Sequence, residues 1–446
     1  MDVIHEPARA TPVLRRAEVV VVGGGVAGVA AAIAAARMGR EVVLVERYGH
    51  LGGQATGGLV LLWDDLEDGG QQTVGGIPWE TLTRLQKEDG AVLPPEEALH
   101  RADESAWWAW SRWGFGDWHA GGSPPWPIGR MASVDPEACK RLAAQMAREA
   151  GVTLWLHRWV AGVVMDGERL TGVLVESKAG RGALLGQVVV DASGDGDVFA
   201  AAGAEHAHGQ MMLTLVHRLG GVDVEKALRF ERHHAERYFA INRRAMELLG
   251  ATYERWWLRT ARPGVVWCNC PTFAPDDGLN PDVLTRVEVE ARERIVAALE
   301  FLRAEMPGFK AAYLLDTAPQ VGVRQTRLLR GLYTVTRDDV ESGRPFEDCI
   351  GRSRTLRIPY RALVPGRVDG LLVAGRCYSA TPEAQAVTRE VAVCMVMGQA
   401  AGAAAALAAQ TGVEPRAVDV ARLQEVLRAQ GAILEGHDIV RPLPAP

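Results

Sequence analysis

The chain has 446 residues, more than the ~150 that a single core usually organises, so two or three substructures are expected. With 48% hydrophobic and 23% charged residues it reads as a globular protein, and the formal net charge of −6 disfavours nucleic acid or an anionic membrane as partner. Its cysteines (Cys139, Cys268, Cys270, Cys349, Cys377, Cys394) lack the paired spacing of a disulfide scaffold, and no zinc or other metal site is expected. MDVIHEPARATPVLRR contains no apolar h-region, and no window reaches ~18 uninterrupted apolar residues, which predicts a reducing, cytoplasmic setting without a membrane span.

Residues 1–17 read as a loose arm. Glu18 to Val22 forms a strand that breaks into Gly23-Gly24-Gly25-Val26-Ala27-Gly28, and an alanine-rich helix follows to Met38, stopped by Gly39. Glu41 to Val45 is a second strand ending on Glu46. This strand, turn, helix and strand is the unit that binds dinucleotides. Gly23 permits the turn, Gly25 lets the backbone approach a pyrophosphate, and Gly28 lets the helix lie close on its strand. Glu46 lies 18 residues past Gly28 (46 − 28), close to the ~20 expected for the acid that accepts from a ribose 2′-hydroxyl. A carboxylate there repels a 2′-phosphate, which argues against NADP at this site.

Arg47 to Gly58 follows as a glycine-rich loop able to pass close to a bound cofactor. From 61 to 130 the chain holds Gly/Pro turns and a dense cluster of six tryptophans between 107 and 126: Trp107, Trp108, Trp110, Trp113, Trp118 and Trp126. That density suits a pocket for a ring-bearing substrate, an interface, or a packing layer. Asp135 to Ala150 reads as a helix capped by Ser133 or Asp135, with Glu137 in its first turn. Val152–Val160, Ala161–Met165, Leu170–Ser177 and Ala183–Asp191 then read as a small antiparallel meander, with Asp166-Gly167 as a hairpin signal.

The meander delivers the chain into VVVDASGDGD, a buried strand breaking into a small-residue loop suited to a second stretch of a long cofactor. From 205 to 315 the pattern is helical and charged, part of a second domain in which His217 is one of several histidines. GVRQTRLLRGLYTVTRDDV follows from Gly322. Leu371 to Ala374 is strand-like and ends on Gly375-Arg376. Arg389 to Leu407 is a nearly all-apolar helix, which must be buried.

Taken together, these blocks resemble the FAD-dependent oxidoreductases of the glutathione-reductase type, and more narrowly the branch distantly related to fumarate reductase and succinate dehydrogenase flavoproteins. The matching stretches are VVVGGGVAGVAAAIAAARMGREVVLVERYGHLGGQAT, VVVDASGDGD, GVRQTRLLRGLYTVTRDDVESGRPFEDCI and IPYRALVPGRVDGLLVAGRCYSATPEAQAVTREVAVCMVMGQAAG. The resemblance implies an α/β fold: a Rossmann-like FAD-binding domain with a parallel sheet, a small antiparallel meander and a discontinuous second, substrate-capping domain. It assigns 1–60, 131–210 and 360–446 to the FAD-binding domain, and 61–130 with 211–359 to the cap.

It further implies that Gly23, Gly25 and Gly28, with Val26 and Ala27 opening the helix, hold the diphosphate of a non-covalent FAD, and that Glu46 holds the adenosine ribose. Arg47, Gly52, Gly53, Gln54, Ala55 and Thr56 would border the adenosine and diphosphate, and the Val160 backbone would meet the adenine edge. Ala192, Gly194, Asp195, Gly375 and Arg376 would contact the diphosphate and ribityl chain, with Arg389 and Ala392 starting a helix aimed at the flavin pyrimidine. Its positive dipole there would stabilise a reduced, anionic flavin. The chain departs from its relatives in three ways: it has no second GxGxxG, no Cys-x-x-x-x-Cys pair near the first helix, and Pro382 where many relatives place a histidine.

The reaction implied is hydride transfer between flavin N5 and a small organic substrate, by dehydrogenation or C=C reduction. Arg324 and Arg327 are the leading catalytic candidates, against a structural role tying domains together through carboxylates; Tyr333, His217 and Glu383 rank lower. Two other classes are a flavin-carrying subunit inactive without a redox partner chain and an RNA-modifying flavoprotein, which the acidic charge disfavours. The electron acceptor stays open, and a homo-oligomer is compatible with the sequence.

Overall fold

The computed structural model describes residues 3–5 and 7–435, so the last eleven residues of the expected FAD-binding segment lie outside it. Its centre is a seven-stranded sheet. β1 (Val13–Val22) runs parallel to β2 (Val42–Val45), which is parallel in turn to β3 (Thr153–Trp155). β4 (Trp159–Asp166), β5 (Arg169–Ser177) and β6 (Gly180–Asp191) are antiparallel neighbours. β6 also pairs in parallel with β1 along its length and, at Val189–Asp191, with β7 (Leu371–Val373). Successive valines point to opposite faces: Val19 and Val21 into one core, Val20 and Val22 into another. A strand apolar on both faces must be covered on both, which is why Val19–Val22 reads as a continuous apolar run.

Two expectations are corrected here. The arm ends at Pro12 rather than residue 17, because β1 begins at Val13 and pairs with β6 from Ala183; Arg15 holds Glu41 at 2.9 Å. The meander is not a separate unit but the antiparallel extension of the main sheet. Val152–Val160 divides into β3 and β4 around His157, whose φ is 57° and whose ring lies against Gly49.

The helix α1 (Val26–Arg37) follows β1, α2 (Pro136–Glu149) precedes β3, and α3 (Val391–Thr411) follows β7. Asp135 caps α2 by accepting from Ala138 N–H at 2.9 Å, and its other oxygen takes Arg262 Nε at 2.8 Å. Among the described residues α3 is the one helix long and apolar enough to cross a bilayer, and its apolar window is wholly buried in the protein. It starts two residues after Arg389 and ends four past Leu407. A side chain at Gly398 would meet Ala27 O at 2.1 Å, and one at Gly402 would meet Ala31 O at 2.0 Å. The helices therefore touch backbone to backbone.

A second core gathers around Trp256, Trp257, Tyr238, Phe309 and the helices Val224–His233, Ala235–Leu249 and Pro281–Glu305. The stretch expected to be helical also contains a four-stranded sheet, with His217–Gly220 between Val266–Cys268 and Tyr313–Thr317. The strands are too short, three to five residues, for alternation to stand out. The tryptophan-rich segment packs onto this core. Arg112 is buried, donates to Glu231 Oε1 at 2.8 Å and to Tyr238 OH, and lies over Trp257. Arg255, Arg232 and Arg259 lie over Trp107, Trp108 and Trp113. Trp118 is exposed.

Replacing Gly402 by Leu drives a side chain into Ala31 and is expected to destabilise the fold by about 1–3 kcal/mol or more. Thermal melting reads this, with the exposed Gln410→Leu as control; equal melting temperatures for the two variants would refute backbone contact between α1 and α3.

Candidate functional site

The C-terminal ends of β1, β6 and β7 and the N-termini of α1 and α3 meet at one edge of the sheet. Gly23 adopts φ +98° with Ala192 O pressed against it, and a side chain at Gly28 would meet Gly23 O at 1.8 Å. Gly25 differs: the nearest atom to a Cβ there would be Gly53 Cα at 3.9 Å, so the cradle is open where a diphosphate must approach. Gly25 has no side chain to cap α1, and the first-turn amides of Val26, Ala27 and Gly28 precede the first helical acceptor. Gly52 N–H donates to Gly24 O at 2.8 Å, which lays the Gly52–Gly53 turn beside the cradle. Thr56 closes that turn through Leu51 O at 2.7 Å, Ala55 is buried, and Gln54 reaches Val321 O at 3.2 Å.

Glu46 is nearly buried, with Gly24 N–H donating to Oε2 at 2.6 Å and Tyr48 N–H to Oε1 at 2.8 Å. Each carboxylate oxygen keeps a lone pair for a ribose hydroxyl. A groove beside it is lined by Arg47, Arg158, Trp159, Val160 and Ser193. Arg47 lies over Trp159 at 5.0 Å, giving the groove a flat, polarizable wall suited to a purine.

Across the cleft, Asp191 accepts from Ser193 N–H and from the Val198 and Phe199 amides, fixing the loop that carries Ala192, Gly194 and Asp195. Burial raises the Asp191 pKa to about 6. Asp195 takes Arg376 Nη2 at 2.6 Å and Thr326 Oγ1 at 2.8 Å. Burial opposes its charge, but Arg376 outweighs this and its pKa is lowered. Arg376 Nε is buried without a hydrogen-bond partner, and Gly375, at φ +89°, faces Ala27 Cβ. An open glycine cradle, uncapped helix amides and an unpartnered guanidinium nitrogen fit the diphosphate of an FAD.

The two candidate arginines part company. Arg327 donates to Asp195 O at 2.9 Å and Asp197 Oδ1 at 3.1 Å, so its guanidinium is engaged with the Asp195 loop. Arg324 turns the other way: its Nη1 donates to Met212 O at 3.0 Å and Thr214 Oγ1 at 2.6 Å. Burial and neighbouring Arg389 lower its pKa to about 10, which leaves it charged at neutral pH. Gln385 binds both Arg324 O at 3.1 Å and Arg376 O at 2.9 Å, coupling this arginine to the cofactor loop.

Arg389 lies 3.7 Å from Glu390, which sits at the N-cap of α3, and Ala392 is buried in its first turn. Asp64 comes in from the start of the tryptophan-rich segment, within hydrogen-bonding reach of Glu390. The sequence reading missed Asp64, Glu390, Gln385 and Trp159. Of these only Glu390 had a signal, as the acid beside Arg389 at a helix start. The lower-ranked candidates lie elsewhere: His217 is buried against Cys270 O at 2.8 Å, with its pKa pushed down to about 4 by burial. Tyr333 OH donates to Asp339 at 3.0 Å, and Glu383 is exposed in the turn after Thr381.

Residues 18–356 and 353–427 match the model of the FAD dependent oxidoreductase family, so the chain belongs to that family. It is an FAD-dependent oxidoreductase, and its cofactor is FAD. No curated protein matches the chain. Similar solved structures include a geranylgeranyl bacteriochlorophyll reductase-like protein from Thermoplasma acidophilum, at 12% identity over 93% of this chain and 84% of that chain, with a TM-score of 0.48. The flavin-dependent brominase Bmp2 aligns at 14% identity over 93% and 83%, with a TM-score of 0.49. The p-nitrophenol 4-monooxygenase PnpA from Pseudomonas putida DLL-E4 aligns at 15% identity over 93% and 84%, with a TM-score of 0.45.

Removing the Glu46 carboxylate (Glu46→Ala) is expected to weaken FAD binding about 10- to 100-fold, the value of one or two charge-assisted hydrogen bonds. Fluorescence titration of deflavinated protein measures it, with exposed Glu41→Ala as control; an unchanged Kd would remove Glu46 from the site.

Proposed function

We propose that this protein transfers a hydride between the N5 of its flavin and a small organic substrate that presents an anionic or polarised oxygen to Arg324. The observation that carries this reading is the charged, half-buried Arg324 held by Met212 and Thr214 beside Arg389, at the N-terminal end of α3. When bound, the flavin supplies the two-electron chemistry. Arg324 and Arg389 orient the substrate and stabilise charge developing on its oxygen, and burial strengthens that attraction. Arg327 we read as holding the Asp195 loop rather than touching substrate.

We place the chain in the glutathione-reductase-type branch near the fumarate reductase flavoproteins, on the order of its four matching blocks and its lack of a second GxGxxG. Small molecules rather than nucleic acid are the partners that the net charge favours. The six cysteines are all free and buried, in keeping with a reducing compartment.

Purified protein is expected to show the visible bands of bound flavin, and anaerobic mixing with hydroxy acids, amino acids, unsaturated acids, cyclic enones or NAD(P)H should bleach them with one class. Arg324→Met should then lower kcat/KM about 10²–10³-fold while flavin content stays the same. Bleaching by a neutral amine or alcohol that Arg324→Met leaves untouched would contradict this assignment.

A further inference from the structure

Asp64 follows the short strand Leu62–Trp63, which is anchored by the fully buried Trp63 ring and pairs with Ala132–Val134. The next residue, Asp65, has φ 57°, and its carboxylate faces His119 Nε2 at 3.5 Å. Asp64 is thereby left to a different neighbour, the carboxyl of Glu390. Its Oδ1 is buried and has no hydrogen-bond partner, and so is Arg389 Nε. Glu390 stands at the N-cap of α3 without using its side chain to cap the helix. Two carboxyl groups in contact cannot both ionise cheaply, so such a pair retains a proton between them. The other charged groups around the pair are Asp65, Arg389 and Arg324, with Tyr253 acting on Arg324.

We infer that Asp64 and Glu390 form a hydrogen-bonded carboxyl pair that holds one proton at neutral pH and exchanges a second proton with the substrate. This rests on the hydride-transfer reading. Burial and the adjoining Glu390 raise the Asp64 pKa well above the ordinary carboxylate range, in the direction such a pair requires. In the oxidative direction the substrate C–H bond breaks, its hydride goes to the flavin, and an O–H or N–H proton passes to the pair as the C=O or C=N bond forms. The pair then carries two protons; in the reductive direction it gives one back. With one shared proton the pair carries −1, and together with Asp65 it balances the +2 of Arg324 and Arg389.

The test is infrared difference spectroscopy of the FAD-loaded protein between pH 5 and pH 9 (about two units either side of neutrality), combined with the pH profile of anaerobic flavin reduction. The protein is expected to retain a protonated carboxyl C=O band at neutral pH that Asp64→Asn and Glu390→Gln each remove. Either variant should slow reduction by about 10²–10⁴-fold and erase its pH dependence, with flavin content preserved. Should Asp64→Asn fail to fold, Glu390→Gln reads the same band. Persistence of the band in both variants, or a wild-type pH profile in either, overturns the assignment. Because the infrared band is read without substrate, failure of the pair is distinguishable from failure of the hydride-transfer reading.

Discussion

The contact between α1 and α3 is the constraint on which the rest of the molecule depends. Gly398 and Gly402 lie on the backbone of Ala27 and Ala31, so no side chain separates the helices. Such an approach requires small residues on both partners, and α1 and α3 are rich in alanine and glycine where they meet. Lying this close, both helices begin at the same edge of the sheet and bring two sets of unbonded amides into one cleft. A long, ligand-bridging cofactor is the natural occupant of that geometry. A larger residue along the contact would separate the N-termini as well as loosen the core.

The cleft is then locked from the far side by polar links rather than apolar packing. The run Arg324-Gln325-Thr326-Arg327 acts as a strap. Thr326 and Arg327 hold Asp195 and Asp197, Gln325 reaches Gln385 at 2.8 Å, and Arg324 is left toward Thr214 and Arg389. Buried charges cost less when each has a partner, and Asp195 with Arg376 meets that condition. Arg324, Arg389, Asp64 and Glu390 do not pair off in the same way. On the reading proposed above, the contrast separates a cofactor side of the cleft from a substrate side.

Much of the glycine-lined half of the cleft was legible in the sequence because each of its structural demands is local. Gly23 and Gly28 have no room for a side chain, and Glu46 directly follows the second strand and takes the Gly24 amide. The Asp191–Asp197 loop likewise announces itself by its small residues. The half we read as facing the substrate was not legible, since it is assembled from Asp64, Met212, Thr214, Arg324 and Glu390, whose meeting depends on tertiary packing. Asp64 was hidden inside a segment read for its tryptophans, which the structure engages in cation–π contacts with Arg232, Arg255 and Arg259. The short strands from 211 to 276 and the early start of β1 escaped for a related reason: their pairing partners, not their own periodicity, make them strands.

Hydrogen exchange of the deflavinated protein, with and without added FAD, tests the central claim most directly. If one cofactor spans both helix N-termini, FAD will slow exchange together in 24–30, in 191–197 and in 389–395, beyond any global stabilisation seen in the helix 281–305. Protection confined to 24–30, with 389–395 exchanging as in the free protein, would contradict a cleft shared by α1 and α3.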